Sequence, residues 1–352
     1  MTRSEKTLVI LTPGFAKDEA DSTCIPTQQN FVTRLNEIYP ALNVIILALD
    51  YPYFKRTYQW FNNTVISFNG KNRGGLSKLL LRRRALSTLK KVNASDNIIG
   101  LLSFWYGESA LIGKKFAEAN NLKHICWISG QDAKKGNKYV RRCPPKADEL
   151  VALSDFLQDE FEKNYNIKPQ YVIPPGINAV QFSKEITLKD IDIIAAGSLI
   201  PLKQYEKFLN VVAEIKKKIP GIKAVLMGNG PEKSKLQDLI AELGLGSNIT
   251  LTGELQHPDT LKMMQRGKVF LHTSSYEGFG VVCIEALYAG CRVISFVRPM
   301  RQEIENWHIA ANNEEMVQKA MEILKHPTTE YRSTMPFTVE RSVQQMAQLF
   351  SF

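Results

Sequence analysis

The sequence predicts an α/β protein built from two doubly wound domains. Three observations indicate this class: short apolar runs alternate with helix-like segments, the alternation pauses at a Pro-Pro-Gly segment, and it then resumes over a similar length. The chain has 352 residues, which is long enough for two ordinary domains, and its hydrophobic fraction of 44% is typical of a globular protein.

The first domain is predicted to contain five strands with helices between them. Mostly apolar runs of this length are typical of parallel strands that are covered on both faces. The strand-like runs are 7–12, 44–48, 98–102, 124–128 and 150–153, and the helix-like segments are 28–39, 76–91, 108–120 and 155–164. Pro174-Pro175-Gly176 then forms a stiff linker. The N-terminal domain is therefore expected to span residues 1–175.

The second domain is predicted over residues 176–336, where the alternation restarts. Its strand-like runs are 191–196, 223–227, 249–251, 269–271 and 292–295, and its helix-like segments are 203–218, 231–243, 257–266 and 281–289. Parallel sheets of this kind bind ligands at the carboxyl ends of their strands. A ligand is therefore expected in a cleft between two such sheets.

The most informative stretch runs from Glu277 to Glu285, two carboxylates eight positions apart. A glycine-rich turn follows the first, and an apolar helical run leads into the second. On one helix face the carboxylates would lie about 12 Å apart, so that one reaches a transferred sugar and the other a ribose. The N–H groups and dipole of a helix that opens here would bind the diphosphate between them. The residues expected to form this opening are Gly278, Phe279, Gly280 and Val281.

The stretch from Ser274 to Gly290 resembles the signature of retaining glycosyltransferases of family 4. Four upstream segments match that family in order and spacing, at 197–203, 227–231, 243–245 and 249–253. The resemblance implies the GT-B fold, in which two Rossmann-like doubly wound domains face each other across a cleft. It also implies that the first domain binds the acceptor and that the C-terminal helix, 337–352, crosses back to it.

Lys203 and Glu277 are the catalytic candidates. Sugar transfer from a nucleotide requires a preorganised cation for the departing diphosphate. The resemblance implies that Lys203 contacts this diphosphate. Two departures stand nearby, because Ser198 replaces the usual arginine and Gln204 the usual glycine. Lys203 and the helix terminus at Gly280 are therefore expected to carry more of the charge.

The other donor-side candidates are Gly14, Ser198 and Leu255, with Glu285 assigned to the ribose. Gly14 follows the first strand, where a glycine would let backbone approach a phosphate, although a simple turn is an equal alternative. The resemblance places Leu255 beside the nucleotide base, through backbone contacts.

Ser129 and Asp132 are the acceptor-side candidates. The resemblance expects a His-Gly after the fourth strand, and Ser129 stands at the histidine position, so no catalytic histidine is expected there. Asp190 and Asp192 fit an Asp-x-Asp pattern but have no third ligand nearby in the sequence. No metal and no cofactor are therefore expected, since the nucleoside diphosphate sugar is a substrate.

The net charge of +10 is concentrated in the first half of the chain. Residues 1–185 hold 26 Lys and Arg against 17 Asp and Glu, whereas residues 186–352 hold 19 against 18. The segment 71–91 contains no acidic residue and carries leucines among its cations. This pattern predicts a helix that packs by one face and offers the other to an anionic membrane, with a solvated basic helix as an equal alternative. Nucleic acid is not expected, because no recognisable motif accompanies the charge.

These features predict a metal-independent enzyme that moves a hexose from a nucleoside diphosphate sugar to a carbohydrate or lipid-linked acceptor, in cell-surface glycan biosynthesis. The resemblance to family 4 implies that the enzyme retains the anomeric configuration. A nucleotide-sugar epimerase or hydrolase of the same fold is one alternative. A catalytically silent sugar-nucleotide-binding protein is another, motivated by Ser198 and Ser129. The sequence has no apolar run of about 20 residues and no signal-peptide pattern, which predicts a cytoplasmic protein able to associate with the inner face of the cell membrane.

Overall fold

The computed structural model describes residues 6–185, 187–326 and 331–352. The chain divides into two compact units. The first comprises the described residues up to Pro175 together with Val339–Phe352, and the second comprises the described residues of Gly176–Thr338. Each unit has its own largely parallel sheet, which confirms the predicted class of two doubly wound α/β domains.

Eight strands form the sheet of the first unit. They are β1 (Lys6–Gly14), β2 (Asn43–Tyr51), β3 (Thr57–Trp60), β4 (Asn63–Ser67), β5 (Asn97–Phe104), β6 (His124–Ile128), β7 (Leu150–Ala152) and β8 (Tyr171–Val172). Their order is β3-β4-β2-β1-β5-β6-β7-β8, and only β3 and β4 pair antiparallel. The β3-β4 hairpin was not predicted, because its strands are short and partly polar.

Among the described residues, seven α-helices belong to the first unit. They are α1 (Pro26–Ile38), α2 (Gly75–Ser95), α3 (Glu108–Asn120), α4 (Gly130–Ala133), α5 (Lys138–Arg142), α6 (Asp155–Tyr165) and the C-terminal helix α12 (Val339–Leu349). Val343 and Met346 of α12 are buried in one apolar cluster with Phe31 and Leu35 of α1. Ser342 Oγ also donates to the carbonyl of Pro174 at 2.7 Å. The C-terminal helix is therefore part of the first unit's core.

Six strands form the sheet of the second unit, and all are parallel. They are β9 (Ile191–Ala196), β10 (Ala224–Met227), β11 (Ile249–Gly253), β12 (Gly267–His272), β13 (Arg292–Ser295) and β14 (Trp307–Ile309), in the order β11-β10-β9-β12-β13-β14. The helices are α7 (Tyr205–Lys216), α8 (Lys233–Glu242), α9 (His257–Arg266), α10 (Val281–Tyr288) and α11 (Asn313–Lys325).

The strand order of the second sheet reverses between β9 and β12. The chain passes from β9 to β10 on one side and later returns to the other side of β9 at β12. The loops that follow β9 and β12 therefore diverge at the carboxyl edge of the sheet, and such a switch point is where doubly wound sheets bind ligands. Lys203 lies after β9 and Glu277 lies after β12.

Two local predictions at this edge were wrong. Lys203 was expected to begin a helix, but it ends a short 3₁₀ turn, Pro201–Lys203, and α7 begins at Tyr205. Glu277 and Glu285 were expected on one helix face, but α10 begins at Val281, so Glu277 lies in the preceding loop. Both boundaries follow left-handed residues, Gln204 with φ 50° and Gly280 with φ 87°. Apolar periodicity does not reveal such residues when the flanking sequence stays apolar.

Candidate functional site

Glycines allow the loops after β9 and β10 to pack backbone against backbone. A Cβ on Gly228 would lie 1.9 Å from the carbonyl oxygen of Gly197, and a Cβ on Gly230 would lie 2.5 Å from that of Leu199. Gly228 also has φ 145°, which residues with a side chain rarely adopt. The N–H of Leu199 donates to the carbonyl of Asn229 at 2.9 Å. The loop that leads to Lys203 is therefore positioned by main-chain contacts.

The segment around Lys203 is also tied to the loop after β12. Thr273 Oγ1 donates to the main-chain carbonyl of Lys203 at 2.8 Å, and the N–H of Ser275 donates to the carbonyl of Leu202 at 3.2 Å. Gln204 holds a left-handed φ of 50° at the position where the family 4 resemblance expects glycine. The backbone of Lys203 is thus fixed beside the loop that carries Glu277.

Lys203, Glu277 and His272 meet at a single carboxylate oxygen. Lys203 Nζ lies 2.7 Å from Glu277 Oε2, and His272 Nε2 lies 3.2 Å from the same atom. His272 is buried at the end of β12, whereas the side chains of Lys203 and Glu277 are 18% and 23% exposed. A ligand can therefore reach the lysine and the glutamate, while the histidine supports the glutamate from inside the unit.

The electrostatics of this cluster keep Glu277 ionised. Burial acts to raise the pKa of Glu277, but the hydrogen bond with His272 and the ammonium of Lys203 outweigh burial and lower this pKa to about 2. Burial also lowers the pKa of His272, more than contact with Glu277 raises it. A neutral imidazole beside a carboxylate donates its Nε2–H, so we assign that tautomer to His272.

The first turn of α10 has no side-chain cap. Gly280 is the N-cap residue, its φ is 87°, and it provides no side chain to cap the helix. A Cβ at this position would lie 3.4 Å from Glu277 Cγ and 3.4 Å from Cys283 Sγ. The glycine therefore lets the loop turn sharply between Glu277 and the helix. Val281, the first helical residue, is half-buried, and Gly278 and Gly280 are buried.

Phe279 is a packing residue within this turn. Its side chain is 2% exposed and makes edge-to-face contacts with Phe337 and Trp307, at centroid distances of 5.6 and 6.3 Å. The side chain anchors the turn to the core of the second unit. A contribution of Phe279 to a donor site would therefore come from its backbone.

Glu285 pairs with a histidine that the sequence did not single out. His257 Nε2 lies 2.8 Å from Glu285 Oε1, and both side chains are partly exposed, at 15% and 16%. Burial acts to lower the pKa of His257, but the hydrogen bond to Glu285 and the carboxylate charge outweigh it, so this pKa is raised. The pair joins the first turn of α9 to α10 at the carboxyl edge of the sheet.

Ser198 and Leu255 lie at the same edge of the second sheet. Ser198 is exposed in the loop after β9, and Leu255 is half-buried in the loop after β11. The donor-side candidates of the second unit thus lie on the loops after β9, β11 and β12 and on α10, the helix that follows the last of these loops.

Comparison with known proteins gives a family match in this part of the chain. Residues 177–335 match the family of glycosyl transferases group 1. This match covers the site around Lys203, Glu277 and Glu285 and most of the second unit.

Two curated relatives share about 30% identity with part of the chain. One is a UDP-N-acetylglucosamine–peptide N-acetylglucosaminyltransferase GtfA subunit from Streptococcus agalactiae, 31% identical over 154 residues, or 43% of this chain and 30% of the relative. The other, from Campylobacter jejuni, is an N-acetylgalactosamine-N,N'-diacetylbacillosaminyl-diphospho-undecaprenol 4-alpha-N-acetylgalactosaminyltransferase. It is 30% identical over 156 residues, or 43% of this chain and 41% of the relative. The chain thus matches less than half the length of either protein.

Solved structures resemble the chain over nearly its whole length. A sucrose-phosphate synthase from Thermosynechococcus elongatus gives a TM-score of 0.72 at 18% identity and covers 98% of both chains. The Anabaena protein HepE, in complex with UDP and glucose, gives 0.69 at 13% identity and covers 99% of this chain and 100% of its own. These matches, with the two parallel-sheet units, establish the GT-B fold.

The candidates of the first unit have structural contacts. A Cβ on Gly14 would lie 3.2 Å from Tyr51 Cβ, so this glycine allows β1 to pack closely against the end of β2. Ser129 and Asp132 form a capping box at α4, in which the N–H of Ser129 donates to Asp132 Oδ2 at 2.8 Å. Burial raises the pKa of Asp132 to about 6, although its backbone hydrogen bonds act to lower it. A role in acceptor binding would be additional to this cap.

The two aspartates of the Asp-x-Asp pattern are engaged by cations. Asp190 accepts from Nε and Nη2 of Arg266 at 2.9 and 2.6 Å, and Asp192 Oδ1 accepts from Lys268 Nζ at 2.7 Å. Over the residues that the structure describes, no group of three or more His, Cys, Asp or Glu side chains is arranged to hold a metal.

The predicted basic segment forms α2, and its faces differ. Leu81 and Leu89 are buried in the core, whereas Leu76, Leu79 and Leu80 are 79%, 43% and 48% exposed. Arg82 was expected on the face that meets lipid, which was wrong: its Nη2 lies 3.1 Å from Oε2 of the buried Glu108, and this ion pair is part of the unit's packing. In the described parts of the chain, no helix is both long and apolar enough to cross a bilayer.

Sequence reasoning missed His272 and His257. His272 ends β12 and His257 begins α9, so both lie at the carboxyl edge of the sheet, where doubly wound sheets bind ligands. That placement was the available signal, because both β12 and α9 were predicted. Their glutamate partners are 5 and 28 residues away in sequence, so only the folded chain shows the pairing.

Proposed function

We propose that this protein is a retaining glycosyltransferase of family 4 that moves a hexose from a nucleoside diphosphate sugar to an acceptor hydroxyl. The observation that carries this proposal is the cluster of Lys203, Glu277 and His272 at the switch point of the second sheet, beside the uncapped start of α10. One cation and one carboxylate meet there beside the start of a helix, which suits a donor with a diphosphate and a sugar.

In this proposal, Lys203 and the first turn of α10 stabilise the leaving diphosphate. Negative charge grows on the phosphate oxygens as the glycosidic bond breaks, and a preorganised ammonium lowers the energy of that state. The Lys203 ammonium is already held at the site by Glu277. With the ammonium bound to phosphate, Glu277 remains oriented by His272 and accepts hydrogen bonds from the sugar hydroxyls. The departing phosphate helps to deprotonate the acceptor, so no protein nucleophile is needed.

Relatives and structural neighbours support this class of donor and acceptor. One neighbour is a complex with UDP and glucose, and the Campylobacter relative is named for a diphospho-undecaprenol acceptor. We therefore propose a carbohydrate or lipid-linked acceptor and a role in cell-surface glycan biosynthesis. The protein would act in the cytoplasm or at the inner face of the cell membrane.

A screen of nucleotide sugars by thermal shift would test the proposal, because a ligand that binds only the folded state raises the melting temperature. The donor that binds should then release its nucleoside diphosphate faster with an acceptor than without one. Release or isomerisation of the sugar that is independent of acceptor would indicate the hydrolase or epimerase alternative. Donor binding without turnover under any acceptor would indicate a silent binding protein, the alternative motivated by Ser198 and Ser129.

Replacing Glu285 with glutamine should mainly raise KM for the donor. We assign Glu285 to the ribose, remote from the reacting carbon, so its loss weakens ground state and transition state alike. We expect KM to rise about tenfold, with kcat within about threefold of wild type, since a hydrogen bond to a charged group contributes about 1.5–3 kcal/mol. Initial-rate kinetics would measure this, with Glu314→Gln as a matched control. A fall in kcat at unchanged KM would contradict the ribose assignment.

Activity should persist in excess EDTA. We propose that Lys203 and the helix N–H groups perform the role that a divalent cation has in Asp-x-Asp enzymes, and here both aspartates pair with basic residues. Rates measured before and after chelation should agree within about twofold. Recovery of a chelated, inactive enzyme on addition of Mg²⁺ or Mn²⁺ would overturn metal independence.

We also propose that α2 contacts an anionic membrane surface. Three exposed leucines near its start lie among lysines and arginines, a composition suited to binding at a lipid interface. Arg83 and Arg84 are exposed, unlike Arg82. Membrane contact through this helix would bring the enzyme to a lipid-linked acceptor.

The double variant Arg83→Gln/Arg84→Gln should weaken binding to phosphatidylglycerol vesicles about 30-fold at low salt. Each Lys or Arg near an anionic surface contributes about 1 kcal/mol, so two contribute about 2 kcal/mol. Vesicle co-sedimentation measures the change, and Lys115→Gln/Lys123→Gln, which removes two exposed charges elsewhere on the first unit, is the matched control. If the wild-type protein does not co-sediment with these vesicles at low salt, α2 is a solvated helix and a soluble acceptor is favoured.

A further inference from the structure

A cationic cavity lies in the first unit, at the start of α2. Its volume is about 390 Å³, and the residues that line it include Gly74, Gly75, Lys78, Arg82, Lys138 and Arg142. The four basic side chains come from two different helices, α2 and α5. The cavity is thus formed by the tertiary packing of two segments that are about 60 residues apart in sequence.

The charge in this cavity is only partly compensated. Glu108 pairs with Arg82 and lies 3.6 Å from Lys78 Nζ, and Asp50 is the other carboxylate that acts on Lys78. Four cations therefore face two carboxylates, which leaves an excess of two positive charges. Lys138 and Arg142 are exposed, and no carboxylate contacts either of them among the described residues.

The contacts of Glu108 fix two of the basic side chains that line the cavity, Lys78 and Arg82. Glu108 is 6% exposed, and Tyr139 Oη donates to its Oε2 at 3.1 Å. The ring of Tyr139 lies 5.5 Å from the Nζ atoms of both Lys78 and Lys138. One tyrosine thus positions one lysine from each helix, and a contact of this kind is favourable for a cation.

The backbone at the start of α2 adds N–H donors, which favour an anion as the basic side chains do. Gly74 is the N-cap of α2, a helix of 21 residues, and no side chain caps its first turn. A Cβ on Gly74 or Gly75 would meet no atom within 4 Å, so the approach to these N–H groups is open. The positive end of the helix dipole therefore lies at the cavity, where Gly74 and Gly75 are among the lining residues.

We propose that this cavity binds a phosphate-bearing ligand. A phosphate group brings up to two negative charges and several acceptor oxygens, which match the excess of two cations and the mixed ammonium, guanidinium and N–H donors. The cavity is large enough for a diphosphate, and a single carboxylate would neutralise only half of the charge. The phosphate belongs either to a soluble ligand or to a lipid headgroup. The site lies within the first unit and does not depend on the donor site or on transferase activity.

Titration with inorganic pyrophosphate would test the site directly. In protein labelled with [15N]glycine, the resonances of Gly74 and Gly75 report on this cavity, whereas that of Gly280 reports on the proposed donor site. We expect saturable shifts at Gly74 and Gly75. In Lys138→Gln/Arg142→Gln the dissociation constant read from these resonances should rise at least about tenfold, because two charge-assisted contacts at a partly exposed site are lost.

The matched control is Lys135→Gln/Arg141→Gln, which removes two exposed charges that do not line the cavity. Its dissociation constant should stay within about twofold of wild type. Equal affinity in the Lys138/Arg142 variant and wild type, or an equal loss in the control, would overturn the proposal. Co-sedimentation with phosphatidic acid vesicles identifies the source: a parallel loss indicates a lipid headgroup, and unchanged vesicle binding indicates a soluble phosphate. Either vesicle result supports the site, provided that Lys138→Gln/Arg142→Gln has lost affinity for pyrophosphate.

Discussion

Replacing Lys203 with alanine should reduce turnover on the order of 10²-fold, with the fold retained. In the proposed mechanism this ammonium is the main side-chain cation for the leaving diphosphate, and deleting one preorganised donor to a developing charge has an effect of this size. The backbone role of Lys203 survives, because its contact with Thr273 is made by the main-chain carbonyl. Single-turnover and steady-state rates with the identified donor would measure the loss.

Lys217→Ala is the matched control for this variant. Lys217 pairs with Glu214 on the exposed surface of the same unit, at 2.7 Å, and so repeats the loss of an ion-paired lysine away from the site. We expect its rate to equal that of wild type. A melting temperature for Lys203→Ala close to wild type would show that the lost activity is not lost folding. Turnover within a few-fold of wild type would remove Lys203 from the mechanism.

Replacing Glu277 with glutamine should lower kcat on the order of 10²-fold and change the donor KM by only a few-fold. We assign this carboxylate to the sugar near the reacting carbon, so its contribution should appear mainly in the transition state. Glutamine keeps the size of the side chain but removes the charge that holds Lys203 Nζ at 2.7 Å. The lysine and His272 would then share a neutral amide oxygen in place of the charged carboxylate.

The pH dependence of the wild-type enzyme provides a second test of Glu277. Its folded-state pKa is lowered to about 2, so its carboxylate is charged throughout the range from pH 5 to 9 and should add no inflection there. Because this pKa is depressed, the ionised group stabilises the fold above the ordinary glutamate pKa, and that stabilisation is lost as the pH falls toward 2. For the Glu277→Gln kinetics, Glu214→Gln is the surface control. If Glu277→Gln raised KM at unchanged kcat, Glu277 and Glu285 would have exchanged roles.

Much of the second unit could be predicted from local sequence. Helix α9 has the predicted bounds of 257–266, and α3 in the first unit has those of 108–120. Strand β12 and the turn that ends at Gly280 were also expected, because an apolar run, a glycine-rich turn and a second apolar run follow each other directly. Features set by neighbours in sequence were thus predictable, since hydrophobic period and glycine conformation are local properties.

The contacts of the candidate site depended on residues far apart in the chain. Lys203 and Glu277 are 74 positions apart and were proposed separately, for the diphosphate and for the sugar. Lys203 and His272 both contact Glu277 Oε2 because β9 pairs in parallel with β12, which brings the loops after these strands to one switch point. In the same way, the local sequence predicts that Arg82 is a surface cation, and only the folded chain shows that Glu108 of α3 lies beside it.

The sequence by itself therefore determined the fold class, the order of the main elements and the residue types at the candidate donor site, since these depend on local pattern and composition. Tertiary structure decided which polar groups meet. It placed the pKa of Glu277 near 2, paired Glu285 with His257, and combined cations of α2 and α5 into one cavity. The physical reason is that charge interactions depend on distance and burial, and both are set only when the strands are in register.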